Sequence, residues 1–427
     1  MDAKPLSGKS LLALANPSPS IEAYEGAVRS GKTITSLIDW LRYIRTGPEG
    51  ALAMCGRTER TIINNLLLPL QEMLGKERVR VNYGTGTAII LGREVHIYGA
   101  NNEQARTKIQ GLTLAGAYLD EAETIPESFF TMLYTRLSVP GAKFWFTSNP
   151  GGPNHWLKVD WLDKARFWID GQGRFHRNTG PDAKDLHRYT FLMDDNKTLD
   201  PAYVERQKKS YSGLFYRRYI LAEWVAADGA VFDSWNPETH VVKHKDLPPM
   251  RRILGAGVDY GTTNATSMIV LGLGIDGVLY AVDEWRYDSR QAQIRLTDGQ
   301  LSASIKSWIQ GTLQREGIVP EWVIVDPAAA SFKVQLAADG VNNVMNGDNN
   351  VLYGIRTVAS LLTAGKLKVS DRCQGLINEM PGYSWDKKAT EKGEDQPIKV
   401  ADHSIDAFRY AVTTTETNWR GLVDLAA

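Results

Sequence analysis

The chain has 427 residues, 43% of them hydrophobic and 23% charged, which is enough for two or three globular domains with ordinary cores and too apolar for a disordered protein. Lys and Arg number 49 and Asp and Glu number 49, so the formal net charge is zero. That balance argues against a globally basic nucleic-acid binder and confines any phosphate-binding surface to a local patch opposed by acidic sites elsewhere.

Residues 11–15 are too short a run for a signal-peptide core, and no stretch approaches the length of a membrane span. The two cysteines, Cys55 and Cys373, cannot build a zinc site alone and fit a reducing compartment. A soluble cytoplasmic protein is expected.

In chain order, the first half alternates short apolar strands with amphipathic helices, the pattern of a parallel α/β sheet. Residues 21–24 read as a strand entering a glycine loop. Residues 32–45 read as a helix with Ile34, Leu37, Leu41 and Ile44 on one face, stopped by Gly47-Pro48. Strands follow at 51–55, 94–98, 114–119 and 143–147. From about 150 to 225 the rhythm is lost. This stretch is rich in Trp, Tyr, Lys and Arg and turns helical over 203–224, so it reads as a helical lid or linker part of a first domain spanning 1–225. Residues 226–250 contain Gly229, Pro237 and Pro248-Pro249 and read as the inter-domain linker. A second α/β unit, 251–427, opens with a strand at 253–259. Strands at 268–273 and 278–284 join around Asp276-Gly277 as a hairpin. A strand at 322–326, a helix at 350–364 and a last helix at 404–413, with Ile405, Phe408 and Val412 on its apolar side, complete the unit. No internal repeat or low-complexity tract is present.

Gly26-Ala-Val-Arg-Ser30-Gly31-Lys32-Thr33 satisfies the phosphate-loop pattern G-x-x-x-x-G-K-[ST]. Its glycines let backbone N–H groups turn toward phosphate oxygens, Lys32 adds a point charge at the β/γ-phosphates, and Thr33 offers its hydroxyl to Mg²⁺. The pattern sits between a strand and a helix, as that chemistry requires. An apolar strand ending in Asp120-Glu121 completes the set, with Asp120 for the Mg²⁺ shell and Glu121 for the attacking water. Asp-Glu after a strand is often only a solvated strand end, but behind a phosphate loop the catalytic reading prevails. Arg29 reads either as a cis arginine for the γ-phosphate or as an exposed loop arginine. Arg106 is the weaker candidate for serving a neighbouring subunit. Asn149, in Thr-Ser-Asn-Pro, reads as a contact to the γ-phosphate or water, as a turn residue, or as both.

The second unit carries Asp259 at the end of its first strand, Asp326 at the end of a later one and Asp406 on the last helix. Acids in that order, behind a three-strand antiparallel start, fit a ribonuclease H-like arrangement in which hard oxygen ligands hold two divalent metals about 4 Å apart. Each alone could be a cap, and Asp402 reads as a helix N-cap. His403 shares a helix face with Asp406 and reads as a metal ligand or positioner, or as a surface histidine. Glu284 is a further acidic neighbour. Residues 383–400 read as a basic hairpin whose Lys387, Lys388 and Lys399 would meet backbone phosphates. Lys208, Lys209, Arg217 and Arg218, interleaved with Tyr211, Tyr216 and Tyr219, read as an ordinary amphipathic helical face.

These residues resemble the large terminase subunit of tailed double-stranded DNA phages over about 25–410. The resemblance rests on Gly-Ala-Val-Arg-Ser-Gly-Lys-Thr, Tyr-Leu-Asp-Glu-Ala, Thr-Ser-Asn-Pro, Tyr-Ile-Leu-Ala-Glu-Trp-Val-Ala, Val-Asp-Tyr-Gly and Asp-His-Ser-Ile-Asp-Ala-Phe-Arg-Tyr-Ala. It implies an N-terminal P-loop packaging ATPase and a C-terminal ribonuclease H/RuvC-like nuclease. It implies ATP and Mg²⁺, with Mn²⁺ able to substitute in the nuclease. It implies double-stranded DNA, a portal protein of the procapsid and a small terminase subunit as partners, a ring on the portal, and action in the host cytoplasm without a membrane. Carried over by position, it assigns Lys32, Thr33, Asp120 and Glu121 to ATP, and Asp259, Asp326 and Asp406 to metal. From the motifs themselves, Gly26, Ser30, Gly31 and Asn149 join the nucleotide set, and Asp402 and His403 are further candidates at the metal. Tyr260 departs from the pattern, because many relatives have a small residue or proline after the first aspartate. A rival reading is a DNA translocase whose second domain binds DNA without cutting.

Overall fold

The computed structural model describes residues 6–261 and 264–425, which divide into two compact units. The first comprises residues 1–204, 214–226 and 390–394, and the second the remainder. Among the described residues no helix is long and apolar enough to cross a membrane.

The first unit is built on a ten-stranded sheet. Its strands are β1 (Ile21–Gly26), β2 (Ala51–Gly56), β3 (Val79–Asn82), β4 (Thr87–Ile90), β5 (Arg93–Gly99), β6 (Leu114–Leu119), β7 (Lys143–Ser148), β8 (Ala165–Ile169), β9 (Phe175–Arg177) and β10 (Lys184–Phe191). Their order is β3-β4-β5-β2-β6-β7-β1-β10-β8-β9, and the seven from β5 to β8 run parallel. Both faces of this parallel core are covered, which is why β1 and β6 are buried at every position. One face packs on the helix Lys32–Thr46 through Leu37, Trp40 and Ile44, and the other on Phe129, Phe130 and Leu133 of Glu127–Thr135.

The stretch 150–225 differs from the sequence expectation of a helical lid. It contributes β8, β9 and β10, and β10 pairs directly with β1. Its polar residues hid the strand: Arg188 and Thr190 are buried on β10 because they have a buried acidic partner in β1. The helical part is two helices, Pro201–Ser210 and Gly213–Tyr219.

The second unit holds a seven-stranded sheet of β11 (Val241–Val242), β12 (Met250–Asp259), β13 (Ala265–Gly274), β14 (Leu279–Asp288), β15 (Val323–Val325), β16 (Val344–Asn346) and β17 (Leu367–Ser370), in the order β11-β17-β14-β13-β12-β15-β16. β12, β13 and β14 are antiparallel neighbours, and the outer strands join parallel. Gly277 has φ +71° at the β13–β14 turn, where Asp276 accepts from the Val278 N–H, matching the hairpin expected there. Residues 226–250 are not a free linker. Val231 and Phe232 are buried, the Val231 N–H donates to the Tyr383 carbonyl at 2.8 Å, and β11 joins the sheet edge. Gly229 takes a left-handed φ of +77°, and Pro237 opens the short helix Pro237–His240.

Gly257, on β12, is where backbone must approach backbone. A Cβ there would lie 1.9 Å from the Ala407 carbonyl oxygen, so the helix His403–Thr414 sits directly on the strand that ends in Asp259.

Candidate functional site

In the first unit, β6, β7 and β1 are adjacent and parallel, so Asp120, Asn149 and the loop after Gly26 emerge at one sheet edge. The carboxyl ends of parallel strands are where α/β folds place ligands. The loop's turn is specified locally. Gly26 has φ +131° and a Cβ there would lie 2.0 Å from the Phe191 carbonyl oxygen, which accepts the Ala27 N–H at 2.8 Å. Gly31, at φ +87°, starts the helix Lys32–Thr46, whose first N–H groups have no partner within the helix.

A cavity of about 410 Å³ opens there. It is lined by Arg29, Ser30, Gly31, Lys32, Thr33, Asp120, Glu121, Thr147 and Asn149, all within the segments expected from the sequence, and by Asn64, Asn65 and Asn196, which were not. Asp120 is buried and accepts from Thr147 Oγ1 at 2.6 Å and Asn65 Nδ2 at 3.2 Å; burial raises its pKa. The Glu121 N–H donates to Thr147 Oγ1 at 3.0 Å, and its backbone is left-handed at φ +50°. The Lys32 ammonium is buried, which lowers its pKa, and it donates to Asn149 Oδ1 at 2.8 Å and to the Ala27 and Gly26 carbonyls at 3.0 and 3.4 Å. Arg29 is exposed at the rim with φ +56°, its carbonyl accepting from Asn196 Nδ2 at 2.8 Å. Arg106 is exposed on the short helix Glu103–Ile109 and does not line the cavity. The donor set fits a phosphate group. A buried cation and helix N–H groups face the cavity, and Ser30 Oγ is buried with no hydrogen-bond partner among the described residues.

One buried acid had no sequence signal. Glu25 precedes the loop and is fully buried. Its carboxylate accepts from Arg188 Nε at 2.7 Å, Thr190 Oγ1 at 2.6 Å and Trp224 Nε1 at 2.6 Å. Nearby, the Val28 N–H donates to the Tyr219 carbonyl at 3.1 Å and the Val225 N–H to the Gly151 carbonyl at 3.1 Å. Residues 219–225 are thus tied to the phosphate loop and to the turn after Asn149. Arg218 belongs to the same structure, since it is buried and donates to the Val225 carbonyl.

In the second unit, the β12–β15 register pairs Val258 with Val325, so Asp259 and Asp326 leave neighbouring strands at one level. The helix seated on Gly257 adds Asp406. Asp259 is mostly buried and its pKa is raised to about 6, by burial first and also by the charges of Asp406 and Asp326. Its Oδ2 meets His403 Nδ1 at 2.8 Å, so the histidine orients this carboxylate. Asp326 accepts from the Ala328 N–H at 2.9 Å. Asp406 Oδ1 accepts from the fully buried Arg409 at 3.1 Å. Each acid is thus turned onto its own partner. Among the described residues, no three His, Cys, Asp or Glu side chains form a ready-made metal cluster. The chemistry of the set still fits a hard divalent cation: the three acids supply carboxylate oxygens, and the charges of Asp406 and Asp326 reach Asp259.

Two expectations change here. Asp402 occupies the N-cap position but makes no side-chain cap; Glu379 caps instead, its Oε2 accepting the Ser404 and Ile405 N–H groups at 2.7 and 3.2 Å. Glu284 is spent on structure, accepting from Ser404 Oγ at 2.6 Å and the Gly375 N–H at 2.7 Å. Tyr260 turns away from the acids, stacking on Phe332 at 4.5 Å and donating to Asp298. Residues 383–400 keep the hairpin expected there in short form: Trp385 and Pro397 form an antiparallel bridge, the Asp386 N–H donates to the Gln396 carbonyl at 2.8 Å and the Ile398 N–H to the Ser384 carbonyl at 2.9 Å. Asp386 accepts the Lys388 and Ala389 N–H groups and starts a short helix, Lys387–Glu391. Lys387, Lys388 and Lys399 are exposed.

A family model described as terminase large subunit, T4likevirus-type, N-terminal, matches residues 23–235. The solved structure of the large terminase from a thermophilic bacteriophage is 35% identical. It matches with a TM-score of 0.85 over 96% of this chain and 99% of that one. The same phage protein in complex with ATP-gamma-S matches at 0.83 with the same coverage. The terminase large subunit of Escherichia phage T5 is 25% identical over 301 residues. That match spans 67% of this chain and 61% of the T5 protein's length.

Proposed function

We propose that this chain, which belongs to the terminase large subunit family, uses ATP hydrolysis to drive double-stranded viral DNA into a procapsid and cuts concatemeric DNA at a two-metal site. The observation that carries the reading is the pairing of two sites on one chain. One unit gathers Lys32, Thr33, Asp120 and Glu121 around a cavity of about 410 Å³, and the other sets Asp259 and Asp326 on neighbouring strands with the charge of Asp406 reaching Asp259. The complex of the thermophilic phage relative with ATP-gamma-S supports the nucleotide assignment.

In the first site, Lys32 and the helix N–H groups neutralise the β/γ-phosphates. Thr33 and Asp120 hold the Mg²⁺, Arg29 reaches the γ-phosphate from the rim, and Glu121 takes the proton of the attacking water. In the second, Asp259, Asp326 and Asp406 are the carboxylates that hold metal, His403 fixes the orientation of Asp259, and Arg409 fixes that of Asp406. Mg²⁺ or Mn²⁺ held there supplies Lewis-acid charge and an activated water. The exposed Lys387, Lys388 and Lys399 bind DNA backbone without reading sequence. A portal protein and a small terminase subunit are the expected partners, with the chain working as a ring on the portal in the host cytoplasm.

The rival is a translocase whose second unit grips DNA without cutting. It is the reading under which Asp259, Asp326 and Asp406 stay on their protein partners His403, Ala328 and Arg409. The two separate in one experiment with the full chain: supercoiled plasmid and Mn²⁺ or Mg²⁺, with ATPase measured in parallel. The parent should cut, Asp326→Ala should not cut yet keep its ATPase, and Glu121→Gln should bind ATP without turnover. Equal cutting by parent and Asp326→Ala would refute the carboxylate assignment. No cutting by either, with ATPase intact, would favour the rival.

A further inference from the structure

A third acid stands behind the nucleotide cavity. Glu123 lies in the short turn Ala122–Thr124 that follows Glu121. Its Oε1 accepts from Asn149 Nδ2 at 3.1 Å, while its Oε2 is buried with no hydrogen-bond partner among the described residues. Asn149 in turn accepts from Lys32 through Oδ1 at 2.8 Å. The three side chains form a line, Glu123 to Asn149 to Lys32.

The chemistry of that line is directional. A carboxamide has one accepting end and one donating end. Glu123 takes the donating end of Asn149, which leaves the accepting end facing the lysine. Lys32 has three N–H bonds, and its three acceptors are Asn149 and the Ala27 and Gly26 carbonyls of its own loop. Asn149 and Ala27 hold the ammonium at 2.8 and 3.0 Å, with the Gly26 carbonyl at a longer 3.4 Å, so it is drawn back onto its own loop. To turn toward a phosphate oxygen it must loosen these contacts, and of the three acceptors only Asn149 offers a movable side chain. We propose that Glu123 is a positioning residue that, acting through Asn149, holds Lys32 parked on its own loop until nucleotide phosphates draw it away.

The proposal rests on the reading of this cavity as an ATP site. Departure of Lys32 leaves Asn149 Oδ1 facing the cavity in a fixed orientation, where this accepting oxygen meets a donor such as the attacking water rather than a phosphate oxygen, so the same contact that parks the lysine then aims the amide at that water. Burial, and then the charge of Glu121, push the Glu123 carboxyl up to about 8, so at neutral pH it is held in its uncharged form. A glutamine, also uncharged and with an accepting oxygen, therefore reproduces its contact to Asn149.

The test uses the full chain and four variants, Glu123→Ala, Glu123→Gln, Asn149→Ala and Lys32→Ala. It measures equilibrium binding of ATP-gamma-S and the kcat of ATP hydrolysis for each, with melting temperatures to confirm folding. Glu123→Ala should bind ATP-gamma-S about as tightly as the parent or a few-fold more tightly, because the parked state no longer competes. Its kcat should fall by about ten-fold or more, because the amide is no longer aimed. Asn149→Ala should behave likewise, and Glu123→Gln should stay within about three-fold of the parent in both quantities. Such a split between binding and kcat, rescued by glutamine, is not what a merely structural role produces. Equal weakening of both alongside a lowered melting temperature would assign Glu123 to stability alone. If Glu123→Gln loses kcat as completely as Glu123→Ala, the carboxylate itself carries the proton and the relay is wrong. If Glu123→Ala matches the parent while Lys32→Ala is inactive, the relay fails and the ATP site stands. If Lys32→Ala binds and hydrolyses normally, the ATP-site reading itself fails.

Discussion

Gly257→Ala is a one-methyl test of whether the helix His403–Thr414 sets the carboxylate geometry. The added Cβ would lie 1.9 Å from the Ala407 carbonyl oxygen and 2.9 Å from the Ala411 nitrogen, both backbone atoms that cannot rotate away. Contacts of this kind below 3.0 Å are essentially never tolerated, so strand and helix must separate by at least about 1.1 Å, the difference between 3.0 and 1.9 Å. That helix carries His403 and Asp406, whereas Asp259 stays with the strand. A misplacement of about 1 Å costs on the order of 10²-fold in rate, and overpacking costs about 1–3 kcal/mol of stability. Plasmid cleavage by Gly257→Ala with Mn²⁺ should therefore fall about 100-fold while its ATPase stays at the parent rate. Gly382→Ala is the control, because a Cβ there meets nothing within 4 Å. Parent-like cutting by a folded Gly257→Ala protein would show that the seat of this helix does not govern the carboxylates.

Arg29→Ala should lower kcat for ATP by about 10²-fold or more with nucleotide affinity nearly intact; a loss confined to affinity, measured by ATP-gamma-S titration, would make Arg29 a ground-state contact. Glu379→Gln keeps the shape but weakens the charge-assisted cap on Ser404 and Ile405, so it should cost about 1–2 kcal/mol in urea denaturation followed in the second unit and slow cleavage. Glu123 also gives stability a pH dependence. Its folded-state pKa, about 8, lies above the ordinary glutamate value. Its favourable contribution is therefore complete below that ordinary value and is lost as pH rises through about 8. Glu123→Gln should melt increasingly above the parent between about pH 5 and pH 8.5, and parallel melting curves across that range would refute the burial argument.

What the sequence disclosed follows the range of the interactions. The phosphate loop, Asp120-Glu121 and the β13–β14 turn are specified by residues within a few positions of each other, and all were legible. β10 was not, because its Arg188 and Thr190 look like surface residues until Glu25, more than 160 positions earlier, is placed beside them. The cap on the last helix was misassigned to Asp402 for a related reason: a local aspartate is the expected cap, yet Glu379 reaches the helix end from another element. Asn65 and Asn196 line the cavity from turns and helices that carry no motif. The order of Asp259, Asp326 and Asp406 was readable, whereas the turning of each onto His403, Ala328 or Arg409 is a property of the packed unit.

The tie between residues 219–225 and the phosphate loop has a mechanical meaning. The Val28 and Val225 backbone bonds and the Trp224 indole bond to Glu25 leave this segment little slack against the loop or against the turn behind Asn149. A hydrogen bond to a buried carboxylate contributes about 1.5–3 kcal/mol, and stripping Glu25 of a partner leaves uncompensated charge in the core. A shift of the loop therefore drags the segment along more readily than it tears loose. These bonds make residues 219–225 and the phosphate loop one mechanical piece, a crank whose two arms are Val28 and Val225.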